Sequence, residues 1–185
     1  MWTINKEFEF DYGHRVHSQR LNPELSIDTC LVCRHLHGHR GKVVIHLSGE
    51  ELDDKGMVLD FKELNWFKKF VDDVLDHKMI IDINDPALKS FFPFLDWVDF
   101  PSDPDVVDGL CEYHISGYYT VKLDGSVQGH LREIYEGLVL VNFVPTSENL
   151  AKWIFDIVTE KLKGYAIVEK VEFHETPKTC STYSI

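Results

Sequence analysis

The chain has no run of about 18 apolar residues, which argues against a membrane-spanning helix. Its N-terminus, Met1-Trp-Thr-Ile-Asn-Lys-Glu-Phe-Glu-Phe10, lacks the basic and apolar regions of a secretion signal and is patterned as a strand from the start. Cysteine is sparse: four residues in 185, two of them among histidines, which reads as reduced thiols in a cytoplasmic protein and not as a disulfide framework. Cations are outnumbered, with 19 Lys and Arg against 31 Asp and Glu, and the net charge of −12 argues against nucleic acid as a partner. No internal repeat or low-complexity tract occurs. What is present suffices for a folded core, since 44% of the residues are apolar, and the length suits one domain or one domain with a large insertion.

Apolar periodicity places the elements. Residues 3 to 12 alternate as a strand, and 37 to 49 form a second one. Asp53-Asp-Lys-Gly56 is a hairpin-type turn, with Met57-Val-Leu59 beginning a return strand. Phe61, Leu64, Phe67, Val71 and Val74 recur at helical spacing over 61 to 75. A second helix starts after Pro145, where Thr146-Ser147-Glu148 offers a cap and a first-turn acid, and stops at Gly164. Residues 165 to 173 read as a last strand. Between Asp85 and Asn142 the character changes: four prolines punctuate an aromatic and acidic stretch, followed by strand-like runs at 118–123 and 138–143 with Asp124-Gly125 as a turn signal. This segment reads as an insertion with structure of its own.

The chemistry concentrates in Cys30-Leu-Val-Cys33-Arg-His-Leu-His37-Gly-His39. In an extended chain His37 and His39 point to one face, with Gly38 between them. Phe8, Phe10, Tyr12 and His14 also share a parity, so the N-terminal strand can deliver a third imidazole. Three histidines around zinc leave a fourth position open, the arrangement of catalytic zinc. A closed Cys30–Cys33–His37–His39 site is disfavoured by its spacing, and a redox Cys-x-x-Cys by the missing βαβ pattern. His35 shares the parity of His37 and is a rival ligand. From His14 to Lys42 five cations (Arg15, Arg20, Arg34, Arg40, Lys42) face two acids (Glu24, Asp28), a local +3 in an acidic protein, which suits a small anionic ligand.

Other groups gain meaning only by proximity. Cys33 can face the metal cavity, where a cationic neighbour would favour its thiolate, or be a buried inert thiol. Asp76-His77, at the expected end of the first helix, is otherwise a surface cap. Glu175 can accept two hydrogen bonds from an amidine-like ring edge such as that of a pterin or guanine. Glu148 has a sufficient role at a helix N-terminus without any ligand. Cys30, Cys111 and Cys180 carry no comparable argument.

Six ordered segments resemble the 6-pyruvoyltetrahydropterin synthase and 6-carboxytetrahydropterin synthase family. They are Phe10-Asp-Tyr-Gly-His14-Arg15, Cys33-Arg-His-Leu-His37-Gly-His39, Gly56-Met-Val-Leu-Asp60-Phe61, Leu75-Asp76-His77, Pro145-Thr-Ser-Glu-Asn-Leu-Ala-Lys-Trp153 and Glu175-Thr176. The resemblance implies an α+β tunnelling fold, an antiparallel sheet with two helices on one face whose sheets join into a barrel on oligomerisation. The chain would then be one domain, 1–185, with an insertion at about 86–141. It further implies Zn2+ held by His14, His37 and His39, Cys33 as general base, and Asp76 and His77 as its acid/base partners. Glu175 would anchor the pterin, helped by Thr146, Ser147 and Glu148. The Cys-x-x-x-His-Gly-His spacing resembles the carboxy branch, which converts 7,8-dihydroneopterin triphosphate for 7-deazaguanine and queuosine synthesis. Active sites would lie between subunits of a homo-oligomer, a hexamer or a multiple of trimers or dimers.

Local charge, rather than the resemblance, nominates Arg15 and Arg40 for the triphosphate. Two departures stand out: Tyr12-Gly13 replaces small residues before the first histidine, and the 86–141 segment replaces a short connection. That segment could cover the site, alter the oligomer, bind a partner or form inert surface.

Overall fold

Alternation of Phe8, Phe10, Tyr12 and His14 with polar neighbours drives the first 14 residues into a half-buried strand, β1 (Trp2–His14), in a computed structural model that describes residues 1–99, 118–123, 125 and 127–185. β2 (His37–Gly49) pairs with it antiparallel. The remaining strands are β3 (Lys78–Asp82), β4 (Asp96–Asp99), β5 (Tyr118–Lys122), β6 (Leu138–Val141), β7 (Ile167–Thr176) and β8 (Thr179–Ser184). They form one sheet in the order β4-β5-β6-β3-β1-β2-β7-β8. The fold class is α+β as expected, but the sheet is mixed and not wholly antiparallel: β3 runs parallel to both β1 and β6. Each of these parallel neighbours is reached by a long crossover, since β3 follows the 61–75 helical segment and β6 follows residues 83–137.

The 61–75 segment is helical throughout, as the spacing predicts, in three pieces: a 3-10 turn Phe61–Leu64, α1 (Asn65–Phe70) and a π-turn Val71–Leu75. The short helix α2 (Leu88–Phe91) and α3 (Gly129–Glu136) flank β4 and β5 in sequence, and α4 (Ser147–Leu162) is the long one. Thr146 caps α4 by accepting the Asn149 N–H at 3.3 Å, and Gly164 ends the turn beyond it at φ +84. The return strand expected at Met57–Leu59 does not form. Asp53 instead folds the turn onto itself, its carboxylate accepting from the N–H groups of Lys55 and Met57, while Asp60 caps the next helical turn. Cys111, His114, Pro101, Pro104 and Asp124 lie outside the described residues.

The main core fills the space between one sheet face and the two long helical segments, with Phe8, Ile45, Val171 and Phe173 from the sheet meeting Phe67, Phe70, Ile154 and Val158. A second, smaller core lies on the other face, where Ile81, Leu138 and Leu140 meet Leu88, Phe92, Leu95 and Tyr135. β3 and β6 are thus buried on both faces, which explains runs such as Leu138-Val-Leu-Val141 with no polar alternation. Phe67 is fully buried, with its ring 4.9 Å from that of Phe8 and 5.6 Å from that of Phe70. Phe67→Ala is expected to lower the unfolding free energy by about 3–5 kcal/mol in urea titrations.

Candidate metal centre

In the β1–β2 ladder Tyr12 stands opposite His39, Gly13 opposite Gly38 and His14 opposite His37. Alternation sends His14, His37 and His39 to the face that carries Phe8, Phe10, Val43 and Ile45, so the imidazoles close one end of the main core. One ligand nitrogen from each lies within 4.8 Å of the others. The Tyr12 ring packs against His14 at 5.2 Å and His39 at 5.9 Å. Gly41 makes room for it, because a Cβ there would meet the Tyr12 ring at 3.0 Å and Phe10 at 3.3 Å.

The hydrogen bonds fix the tautomers. His14 Nδ1–H donates to the Pro145 carbonyl at 2.6 Å, and His37 Nδ1–H donates to the His35 carbonyl at 2.8 Å. A neutral ring with its proton on Nδ1 presents only a lone pair at Nε2. Yet His14 Nε2 and His37 Nε2 face each other at 3.1 Å, and His39 Nε2 is buried with no hydrogen-bond partner. Protonation is a poor remedy, because burial and the neighbouring imidazoles pull the His14 pKa down to about 4. Burial likewise lowers the pKa of His39, with Glu175 opposing. Two Nε2 lone pairs and the unpartnered His39 Nε2, converging in a site that resists protonation, suit a divalent cation, and the donor set of three imidazoles fits zinc. The structure places the rival His35 in a different role, its carbonyl orienting a ligand ring.

Glu175 lies within β7, not after the last strand, and brings Oε1 to 3.3 Å from His14 Nε2 and 3.5 Å from His39 Nε2. Thr146 is the α4 cap, while Ser147 Oγ lies 2.7 Å from Ser181 Oγ and 3.3 Å from the Glu148 carboxylate. The Pro145 carbonyl therefore joins the helix start to the imidazole cluster.

Asp76 and His77 are clamped to β1 at Asp11: the Asp11 N–H donates to Asp76 Oδ1 at 2.9 Å, and the His77 N–H donates to the Asp11 carbonyl at 2.6 Å. The Asp11 backbone hydrogen bond, and then His77, hold the Asp76 carboxyl below the usual carboxylate range. His77 has φ +59, the one positive φ at a non-glycine among the described residues, and its Nδ1 lies 2.9 Å from Asp76 Oδ2. It opens onto a cleft of about 570 Å³ with Gly13, Gly38, His39, Arg40 and Lys78. Cys33 occupies a 3-10 turn, Val32–Arg34, with its N–H donating to the Gln19 side chain. Among the described residues no hydrogen bond or ion pair joins Cys33 or the Asp76–His77 pair to the imidazole cluster. Arg15 is committed elsewhere, 3.0 Å from the buried Asp85 carboxylate and 5.3 Å from the Phe91 ring centroid. Arg40 pairs with Glu9 on the surface at 2.8 Å.

The sequence matches the model of the 6-pyruvoyl tetrahydropterin synthase family over residues 3–185. The chain belongs to this family. Among proteins similar to this pterin synthase family member is a 6-carboxy-5,6,7,8-tetrahydropterin synthase of Aquifex aeolicus, 27% identical over 98% of this chain and 97% of its own. A protein so named from Rickettsia conorii is 35% identical over 48% of this chain and 57% of its own. An uncharacterized protein of Wolinella succinogenes, known from a crystal structure, is 43% identical with a TM-score of 0.83, covering 99% of this chain and 97% of that one. The Caenorhabditis elegans 6-pyruvoyl tetrahydropterin synthase, 22% identical with a TM-score of 0.55 over 100% and 95% of the two chains, shares the fold.

Pro145 and His35 act on the cluster of this pterin synthase family member through backbone carbonyls, a role that leaves no side-chain signal in the sequence. Only the position of Pro145 in the Pro-Thr-Ser-Glu segment hinted at it. In metal-free protein the depressed His14 pKa sets a pH dependence. The unfolded chain takes up the proton at the ordinary imidazole pKa near 6.5, while the folded chain resists it down to about 4. Stability is therefore expected to be intact above about pH 6.5 and to fall through the window down to pH 4, on the order of 3 kcal/mol from this group. Urea titrations with chelator present, comparing the native chain with His14→Gln, should show that increment only in the native chain.

Proposed function

We propose that the chain is a zinc-dependent 6-carboxy-5,6,7,8-tetrahydropterin synthase, converting 7,8-dihydroneopterin triphosphate and water to 6-carboxytetrahydropterin, acetaldehyde and triphosphate. The observation that carries this reading is the convergence of three imidazole nitrogens, two of them with their ring protons held on Nδ1, on a pterin synthase fold. The names of the Aquifex and Rickettsia relatives and the Cys-x-x-x-His-Gly-His spacing support the carboxy branch. The classification that follows is a lyase, and the pathway would be 7-deazaguanine and queuosine synthesis in the cytoplasm.

His14, His37 and His39 would hold Zn2+, which when bound acts as a Lewis acid and acidifies C–H and O–H bonds of the substrate side chain. Cys33 removes a proton there as general base, and His77, oriented by Asp76, returns one. Because the Asp76–His77 pair meets β1 through Asp11, on the opposite parity to His14, we assign the completed site to two neighbouring subunits of a homo-oligomer. Glu175 accepts two N–H bonds from the pterin ring beside the metal, with Thr146, Ser147 and Glu148 bordering that end. Arg40, exposed and tied only to Glu9, is the better triphosphate contact, since Arg15 would have to leave Asp85. The 86–141 stretch is on this reading an insertion into the synthase domain.

The second reading is the pyruvoyl product, favoured by a putative 6-pyruvoyl tetrahydrobiopterin synthase of Caenorhabditis elegans that is 24% identical over 98% of this chain. Mass spectrometry of the product, with an acetaldehyde assay, separates the two, and no turnover by zinc-loaded protein overturns both. Cys33→Ala is expected to keep its zinc and to lose turnover by roughly 10²-fold or more. Glu175→Gln should retain zinc and raise KM. Loss of the metal in that variant would instead make Glu175 a ligand.

A further inference from the structure

A second group of metal-type donors stands on the other face of the same sheet. His46 on β2 has the opposite parity to His37 and His39, and Glu172 and His174 on β7 have the opposite parity to the core residues Val171 and Phe173. Cys180 on β8 pairs across the strand with His174. Ligand atoms of Glu172, His174 and Cys180 lie within 4.8 Å of one another. The Glu172 carboxylate also reaches His46, with Oε1 3.4 Å from His46 Nε2, while Oε2 lies 3.6 Å from His174 Nε2. Both imidazole Nε2 atoms are buried without a hydrogen-bond partner.

Two buried ring nitrogens without partners cost free energy unless something engages them. We propose that Glu172, His174 and Cys180 form a second divalent transition-metal site that takes zinc or a similarly borderline-soft ion, with His46 beside the other oxygen of the Glu172 carboxylate. One imidazole, one carboxylate and one thiolate are a three-donor set of that class, which leaves a fourth position to solvent, and the two anionic donors balance a divalent charge. Glu172-x-His174 and Cys180 come from one hairpin turning at Pro177-Lys178, so the three donors are fixed by a single local pairing. Lys170 Nζ, 2.5 Å from Glu172 Oε1, supplies the positive charge in the metal-free arrangement. It is long and 39% exposed, so it can swing into water when a cation arrives. Cys180 is exposed, its Sγ 3.7 Å from the Ser181 carbonyl, and gives the site a route to solvent. None of this depends on the synthase reading.

The test is metal content per folded chain by mass spectrometry after zinc loading and dialysis, together with the visible spectrum of the cobalt-loaded protein. The native chain is expected to hold two equivalents. His37→Ala, His174→Ala and Cys180→Ser should each hold one, and the His37→Ala/His174→Ala pair none. A thiolate-to-cobalt charge-transfer band should appear, vanish in Cys180→Ser and survive in Cys33→Ala and His37→Ala. Cys180→Ser is an exposed, near-isosteric change, so folding does not confound it. One equivalent lost in His37→Ala but unchanged in His174→Ala and Cys180→Ser, with no thiolate band, overturns the second site and leaves Lys170 as the permanent counterion. One equivalent lost in His174→Ala but kept in His37→Ala upholds the second site and overturns the first.

Discussion

Thirteen consecutive residue pairs join β1 to β2, and their register decides almost everything about the candidate site. The register is held by the core, because Phe8, Phe10, Val43 and Ile45 must all face the helices. A slip by one residue would turn one of the two pairs, Phe8 and Phe10 or Val43 and Ile45, away from the helices and send His37 and His39 to the opposite face from His14. Imidazole geometry is thus a by-product of hydrophobic burial, and the Pro145 carbonyl that orients His14 is supplied by the start of α4, itself held by Leu150, Ile154 and Val158 in the same core. The imidazole cluster and the core are held by the same packing.

Much of this was legible in the sequence because it follows from period. Alternation gave β1, β2 and the shared face of the three histidines; helical spacing gave 61–75 and the capped helix after Pro145. The missed elements had no such signal. β8 is Thr-Cys-Ser-Thr-Tyr-Ser, an edge strand whose ladder bonds to β7 do the work that apolar side chains do elsewhere. β3 is a short run buried on both faces, which periodicity cannot separate from a helix end. The Met57–Leu59 strand failed because Asp53 and Asp60 offered backbone groups local partners, a competition that apolar pattern does not register.

The imidazole cluster was legible and its surroundings less so. His14 on β1, His37 and His39 on β2 and Glu175 on β7 come together from three strands. Arg15, nominated from local charge, pairs in this chain with Asp85, a carboxylate of the segment after β3 whose position the sequence pattern does not disclose. The sheet's other face carries a second cluster of donors, Glu172, His174 and Cys180, that no motif announced, since its members are split between two strands.

The two-sided burial of β3 and β6 has a dynamic counterpart. Ile80, Ile81, Leu140 and Val141 are wholly inaccessible, with the helical layer on one face and the smaller core on the other. Solvent can reach the amides of these central strands only when both layers part, whereas the β8 edge needs only a fray. In deuterium exchange the parallel β3–β6 ladder is therefore expected to label slowly, among the described residues, and its opening to report global unfolding.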